Sequence, residues 1–401
     1  MALPLRSLTP APADPILGLT ETFRNDPRPG KVTLAVGVYV DETGVTPVIP
    51  SVLEAERRLL VRAGSKGYLP IDGRPAFRNA SRDLIFGPEH EIVRAARSAT
   101  AQTPGGTGAL RVAADFLLQT GSSRTIWLSE PTWPNHPQLF GLAGFSLRTY
   151  PYLDQSNRGL NLEGMLSALR SAVAGDVVLL HGSCHNPSGV DPDPAAWSAI
   201  SEVILERELF PIVDFAYQGF GFGLREDADW LDGIARPGLE FLVCSSYSKN
   251  FALYNERVGA ITVVAANPER AASALSHLKI AIRANYSNPP AHGGDIVEVI
   301  LTDAALRVQW EGDLAVMRNR ILGNRASFVD ALVAAGVPGN WEPIRRQRGM
   351  FALLGLSIEQ VARLRDEFAI YVVGRGRINV AGLTEANREH VVRALRTVIG
   401  G

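Results

Sequence analysis

The chain holds two cysteines in 401 residues, Cys184 and Cys244, too few for a disulfide scaffold. Both stand in apolar, strand-like stretches, so buried free thiols in a reducing compartment are expected. An excess of charge is also missing, since 40 basic residues face 41 acidic ones and the net charge is −1. That balance leaves no electrostatic footprint for nucleic acid and no charged tail. No apolar run approaches the ~18 residues of a membrane-spanning helix. The first fifteen residues carry one arginine, four prolines and no continuous apolar core, so no secretory signal is expected and a cytoplasmic place is. What remains is a mix of 46% hydrophobic and 20% charged residues, the composition of a soluble globular protein. Its length exceeds one ordinary core, which makes two domains the expectation.

Residues 1–12 read as an extended arm. A helical pattern runs over 51–63, opened by Pro50-Ser51. Continuous apolar runs at 125–128, 176–181, 210–214, 241–245 and 260–264 predict strands covered on both faces. Helical stretches such as 193–208 separate them, giving the βαβ rhythm of a largely parallel α/β sheet. The segment 295–328 reads as nearly continuous helix. Beyond it, 349–354 and 377–380 predict strands of a smaller α+β unit closed by a helix over 385–398. The expected division is an arm at 1–12, a small domain from 13–46 with 318–401, and a large domain at 47–317.

In open α/β sheets, ligands gather at the carboxyl ends of strands. Three predicted strands here end in polar groups. The first runs into His185-Asn186-Pro187-Ser188-Gly189, the second ends in Asp214-Phe215-Ala216-Tyr217, and the third in Ser245-Ser246-Tyr247-Ser248-Lys249. A lysine closing a buried strand among serines is poorly placed as a solubilising charge. It is well placed as an amine in a polar pocket, able to form a Schiff base with a carbonyl. A further element, Thr103-Pro104-Gly105-Gly106-Thr107-Gly108, precedes a helical stretch. Glycines at a helix start leave N–H groups free to face an anion. The spacing is neither a dinucleotide fingerprint nor a P-loop, and it suits a single phosphate.

These motifs, taken together, resemble the fold-type I pyridoxal-phosphate class I aminotransferases, in the aspartate/aromatic branch. The resemblance begins at Asp14-Pro15-Ile16-Leu17-Gly18 and reaches the C-terminus. It is carried also by Tyr68-Leu69-Pro70-Ile71-Asp72-Gly73, Pro131-Thr132-Trp133-Pro134-Asn135-His136 and Asn255-Glu256-Arg257-Val258-Gly259. Arg283-Ala284-Asn285-Tyr286-Ser287-Asn288-Pro289-Pro290 and Gly376-Arg377-Ile378-Asn379-Val380-Ala381-Gly382 complete it. It implies a large domain built on a mostly parallel seven-stranded sheet flanked by helices, with a smaller α+β domain.

The resemblance also implies a set of roles. Lys249 would hold pyridoxal 5′-phosphate as an internal aldimine and then act as the base at the substrate Cα. Asp214 would pair with the pyridine nitrogen, with His136 supporting it from behind. Asn186 and Tyr217 would bond the ring 3-oxygen, and Trp133 would stack on the ring. Gly106, Thr107, Ser246 and Arg257 would grip the phosphate, joined by Tyr68 from the other subunit of a homodimer. Arg377 would take the substrate α-carboxylate with the main chain of Gly37 nearby. Arg283, again from the partner, would take a distal carboxylate.

The reaction so implied is ping-pong transamination from L-aspartate to 2-oxoglutarate, giving oxaloacetate and L-glutamate through pyridoxamine phosphate. The alternative is an aromatic-amino-acid aminotransferase that accepts both substrate kinds. Three departures bear on substrate range: Gly374-Arg375-Gly376 adds a cation before Arg377, Ser188 stands where threonine is commoner, and Ala252 where glycine is frequent. A ligand-sensing module of a transcriptional regulator would need a basic DNA-binding domain that the chain has no room for. A metal hydrolase on His181, Cys184 and His185 lacks a second ligand cluster, so no metal is expected.

Overall fold

The computed structural model describes residues 8–10, 17–62, 64–121, 123–154, 159–236 and 238–400. Of the expected arm, only Leu8, Thr9 and Pro10 fall among them, exposed and without regular structure; the rest lies outside the described residues, as do Asp14, Pro15 and Ile16.

Seven strands form one sheet: β2 (Ser98–Pro104), β3 (Thr125–Glu130), β4 (Ser146–Pro151), β5 (Val177–His181), β6 (Phe210–Phe215), β7 (Phe241–Ser246) and β8 (Val258–Val264). A short strand, β1 (Val32–Thr33), precedes them. Their spatial order is β2-β8-β7-β6-β5-β3-β4, parallel throughout except for β8, which runs antiparallel to both its neighbours. Strand β4 went unforeseen because it is an edge strand with only Tyr150 buried, so no apolar run marks it.

The alternation of side chains along a strand divides the core into two layers. Val177 and Leu179 join Ile212, Leu242 and Ile261 on one face, under the helices Gly105–Gln119 and Pro268–Asn285. Val178 and Leu180 join Val213 and Val243 on the other, under Leu162–Arg170 and Pro194–Glu206. Each such side chain contributes roughly 1.5–3 kcal/mol by leaving water. Cys244 lies in β7 as expected, but Cys184 falls in the turn after β5, at φ 54°. The cause is Asp191, whose carboxylate accepts the N–H groups of Cys184 (2.7 Å) and His185 (2.9 Å) and coils the chain away from the sheet.

The expected single helix over 295–328 is two helices, His292–Thr302 and Ala304–Ala334. Asp303 separates them: its side chain accepts the Leu306 N–H at 2.9 Å as an N-cap and pairs with Arg58 at 2.8 Å. The second helix, 31 residues long, supports the remaining strands. These are β9 (Phe351–Leu353), β10 (Ile370–Tyr371) and β11 (Arg377–Asn379), pairing as β1 with β10 and β9 with β11. Arg325 of that helix, fully buried, donates to the carbonyls of Gly349 and Phe351 at 2.7 and 2.9 Å. Arg320 reaches the carbonyls of Val40 and Ala381, so one helix fastens the segment at Val40 to the turn after β11 and, through Arg325, to β9. Among the described residues, no helix is long and apolar enough to cross a membrane.

Candidate active site

Strand direction brings the site together. The carboxyl ends of β5, β6 and β7 share one rim with the start of β8, because Ser246 is in register with Gly259. The end of β2 joins that rim through the pairing of Pro104 with Val258. A cavity of about 360 Å³ opens there. Its walls include Gly106, Thr107, Trp133, Asn186, Asp214 and Tyr217. Ser246, Lys249, Arg257, Gly37 and Arg377 line it too, the last two arriving from the far ends of the chain. Tyr68 and Arg283 do not line it; both are exposed, Tyr68 at 96%.

Charge in the cavity is lopsided. Lys249, Arg257 and Arg377 face it against one carboxylate, Asp214. Arg377 is 3% exposed and has no ion-pair partner among the described residues. It donates only to neutral oxygens, Ala35 O at 2.6 Å and Asn186 Oδ1 at 3.3 Å, while its Nε has no partner. Burial pushes the guanidinium down to about 10. Its plane lies over the Phe351 ring, 4.3 Å from the centroid. Arg257 likewise donates to Tyr254 O at 2.9 Å and Ser248 Oγ at 3.4 Å, and has no ion pair among the described residues. A cation buried like Arg377 without an acidic partner is costly unless an anion completes it, whereas Arg257 is exposed at the mouth of the cavity.

Lys249 follows β7 and is half-buried, with its amine 4.9 Å from the centre of the Tyr217 ring. Burial is the main cause that lowers its pKa to about 8, with Arg257 and Arg377 adding to it and Asp214 opposing. The amine is therefore partly neutral near physiological pH, as a nucleophile or base needs.

Asp214 sits at the end of β6 and takes a hydrogen bond from His136 Nε2 at 2.9 Å. Burial alone would raise its carboxyl, but the His136 hydrogen bond, helped by the Lys249 charge, outweighs it and holds the group below its ordinary value. With Asp214 ionised, His136 Nε2 must be the protonated nitrogen, so Nδ1 accepts from Thr132 Oγ1 at 2.8 Å. Thr132 in turn accepts from His181 Nε2 at 3.3 Å. Burial drives the His181 pKa down to about 3, so the ring is a neutral donor. His185 closes the set, bonded to Ser129 and Ser188 and stacked on Tyr152 at 3.8 Å. The three histidines thus form a bonded and stacked network, and among the described residues His181, Cys184 and His185 are not grouped as metal ligands.

The helix Gly105–Gln119 begins at the cavity, with no side chain capping its first N–H groups. Gly105, at φ 75°, lies where a Cβ would sit 2.5 Å from Arg257 Nη2, so only glycine lets the guanidinium cross this helix start. Ser246, 3% exposed, borders the same spot.

Sequence reasoning missed Tyr254, Phe351, Ser248 and His181, all of which line the cavity. Ser248 and Tyr254 flank Lys249 and Arg257 on one loop, and that proximity was a usable signal. Phe351 gave none, since a strand phenylalanine normally reads as core. Arg375 lies exposed on the turn before β11, outside the cavity, with its carbonyl accepting from Leu356 N.

Known proteins resemble this chain over nearly its whole length. Residues 29–395 match the family described as aminotransferase class I and II. An aspartate aminotransferase of Escherichia coli is 50% identical over 393 residues, 98% of this chain and 99% of that protein. An aromatic-amino-acid aminotransferase of the same organism is 43% identical over 387 residues, covering 96% and 98%. Among solved structures, an aromatic-amino-acid aminotransferase from Burkholderia pseudomallei covalently bound to pyridoxal phosphate superposes with a TM-score of 0.96 at 45% identity, covering all of both chains. The polar rim of the sheet, its unpaired cations and these relatives lead to one conclusion: the chain belongs to the class I and II aminotransferases.

Proposed function

We propose that the protein is a pyridoxal 5′-phosphate-dependent aspartate aminotransferase, moving the amino group of L-aspartate to 2-oxoglutarate. The single observation that carries this reading is the surplus of cation in the cavity. Three positive side chains face one carboxylate, and the two arginines lie at separate places. One anion belongs at Arg257 and the helix start, another at Arg377. A cofactor phosphate and a substrate α-carboxylate satisfy both, and the 50% identity to an aspartate aminotransferase supports the choice of substrate.

The residues present fit the cofactor. The N–H groups of Gly106 and Thr107, the Ser246 hydroxyl and Arg257 would hold its phosphate. Asp214 would face the pyridine nitrogen, Asn186 and Tyr217 the ring oxygen, and Trp133 the ring face. When bound, pyridoxal phosphate supplies an aldehyde that condenses with amines and a protonated ring that withdraws electrons. Asp214 holds its negative charge because His136 donates to it, and it would in that state favour a proton on the ring nitrogen. Arg377, already pointed by Ala35, Asn186 and Phe351, orients the amino acid by its α-carboxylate. Lys249 Nζ then takes the proton from the substrate Cα, a task its lowered pKa suits.

Gly37 and Arg377 belong to the smaller domain of this reading, 13–46 with 318–401, and the other residues to the larger, 47–317. Arg283 and Tyr68 act on the site of a second copy of the chain, in a homodimer. Their exposure supports this, as do the exposed apolar side chains Leu60 (81%), Val61 (76%) and Ile280 (57%). The two buried free thiols suit a cytoplasmic setting.

Aromatic-amino-acid aminotransferases lie nearly as close, at 43% and 45% identity, so the test must separate the two specificities. Half-reactions of the loaded enzyme with L-aspartate and with L-phenylalanine, followed by cofactor absorbance, do so. Rapid conversion with aspartate alone supports the aspartate reading. Comparable rates with both move the enzyme to the aromatic branch, and no conversion with either overturns the proposal.

A further inference from the structure

Tyr68 and Arg283 are distant in sequence and both turn away from the cavity, yet one buried carboxylate joins the segments that carry them. Asp72 is 4% exposed, and its Oδ2 binds both Arg78 Nη1 and Lys279 Nζ, the latter at 3.2 Å. It stands four residues after Tyr68, within a turn closed by Gly73 N donating to Pro70 O at 2.9 Å. Lys279 stands four residues before Arg283 in the helix Pro268–Asn285, so the two share a face one turn apart. A second tie runs beside the first. Gln102 N donates to Asp72 O at 3.0 Å, Gln102 Nε2 to Pro290 O at 2.8 Å, and Tyr286 OH to Gln102 O at 3.2 Å. Gln102 belongs to β2, which leads three residues later into the helix start facing the cavity.

A carboxylate is expensive to bury and is normally found so only when paired. A turn this short needs no buried charge to close. What the charge adds is a link between the turn and the helix end, and removing it would leave Arg78 and Lys279 as two cations with no common anion.

We propose that Asp72 is a positioning residue that holds Tyr68 and Arg283 in the relative geometry in which a second copy of the chain receives them. It rests on the shared-site reading above. Loss of Asp72 therefore damages the neighbour's site, not its own.

Hybrid dimers, co-expressed with two affinity tags and purified as mixed pairs, test this. In the first hybrid, one chain carries both Asp72→Asn and Lys249→Ala and the other is wild type. The only competent site then receives Tyr68 and Arg283 from the altered chain. KM for L-aspartate should rise about tenfold or more, the scale of a weakened charged hydrogen bond, with faster loss of cofactor on dilution. The kcat/KM for L-phenylalanine, which has no distal carboxylate, should stay within about twofold. In the second hybrid, Asp72→Asn and Lys249→Ala lie on different chains, and the KM should be that of wild type. Equal loss in both hybrids, or loss in the second alone, overturns the proposal.

A control hybrid carries Arg283→Ala in place of Asp72→Asn. If it is impaired while the Asp72 hybrid is not, the Asp72 proposal fails alone. If the control is unimpaired, the shared-site reading fails with it. Lys279→Met, at a side chain 39% exposed, cuts only the helix tie and keeps the idea testable if Asp72→Asn does not fold. It should raise the dicarboxylate KM and leave cofactor retention unchanged; an unaltered KM overturns the proposal.

Discussion

His136 Nε2 donates to Asp214 Oδ2 at 2.9 Å, with the imidazole fully buried and the carboxylate 8% exposed. Behind that bond stand Thr132 and His181, each with its proton fixed by the group in front. The arrangement commits Asp214 to being an anion and leaves its other oxygen for the cavity.

Replacing Asp214 by asparagine keeps the shape and deletes the charge. The kcat for aspartate should fall by ~10²–10³, the usual cost of losing one preorganised electrostatic contact. Steady-state rates above about a third of wild type would refute the assignment. His136→Ala should be milder, roughly 10–100-fold, as one hydrogen bond to a charged group is worth about 1.5–3 kcal/mol. It should also move the pH profile. With the donor gone, burial raises the Asp214 carboxyl, so the acid limb of kcat/KM shifts to higher pH. An unshifted limb would mean that His136 serves packing alone.

Lys249→Ala should bind pyridoxal phosphate but lose turnover by at least ~10²–10⁴, the contribution of a positioned general base. A pH experiment on the cofactor-free protein reads the same amine. Only the neutral amine attacks an aldehyde, so the rate of reconstitution should rise with pH and level off above a midpoint near 8, where Lys249 loses its proton. A midpoint near the ordinary lysine value would contradict the desolvated environment.

Arg377→Lys keeps a charge but loses the fork. If the guanidinium takes the α-carboxylate, as proposed, a group every amino acid carries, kcat/KM should drop for aspartate and phenylalanine alike, by about 10–100-fold. Arg283→Ala should penalise aspartate and spare phenylalanine. A loss confined to one substrate in the Arg377 variant would exchange the two roles.

Gly189 holds φ at 68°, and a Cβ there would lie 2.8 Å from the carbonyl oxygens of both Arg348 and Phe351. Neither is a mobile side-chain end, so Gly189→Ala must separate the Asn186 loop from β9. Thermal unfolding should show a loss of about 1–3 kcal/mol, and KM should rise because Asn186 and Phe351 both steady Arg377. An unchanged melting temperature would show that this junction is loose.

What the sequence determined by itself is local. Strands β5, β6 and β7 are buried on both faces, so they appear as unbroken apolar runs, and their polar ends name Asn186, Asp214, Ser246 and Lys249 without further help. The glycines that open the helix Gly105–Gln119 are legible for the same local reason, as a helix start with free N–H groups. Edge strand β4, wet on nearly all its length, leaves no such trace, and Asp303 reads as one more polar residue until its cap divides a helix in two. Tertiary structure alone decided which distant groups meet. Arg377 joins Lys249 because β11 is laid beside β9 and fastened through Arg325 of a long helix. Phe351 becomes a platform for a guanidinium only once that strand is in place. Asp72 finds Lys279 across some two hundred residues of chain, and no periodicity records such a meeting. Patterns of burial repeat along the chain and can be read from it, whereas an ion pair between two segments depends on how the whole sheet and its helices close.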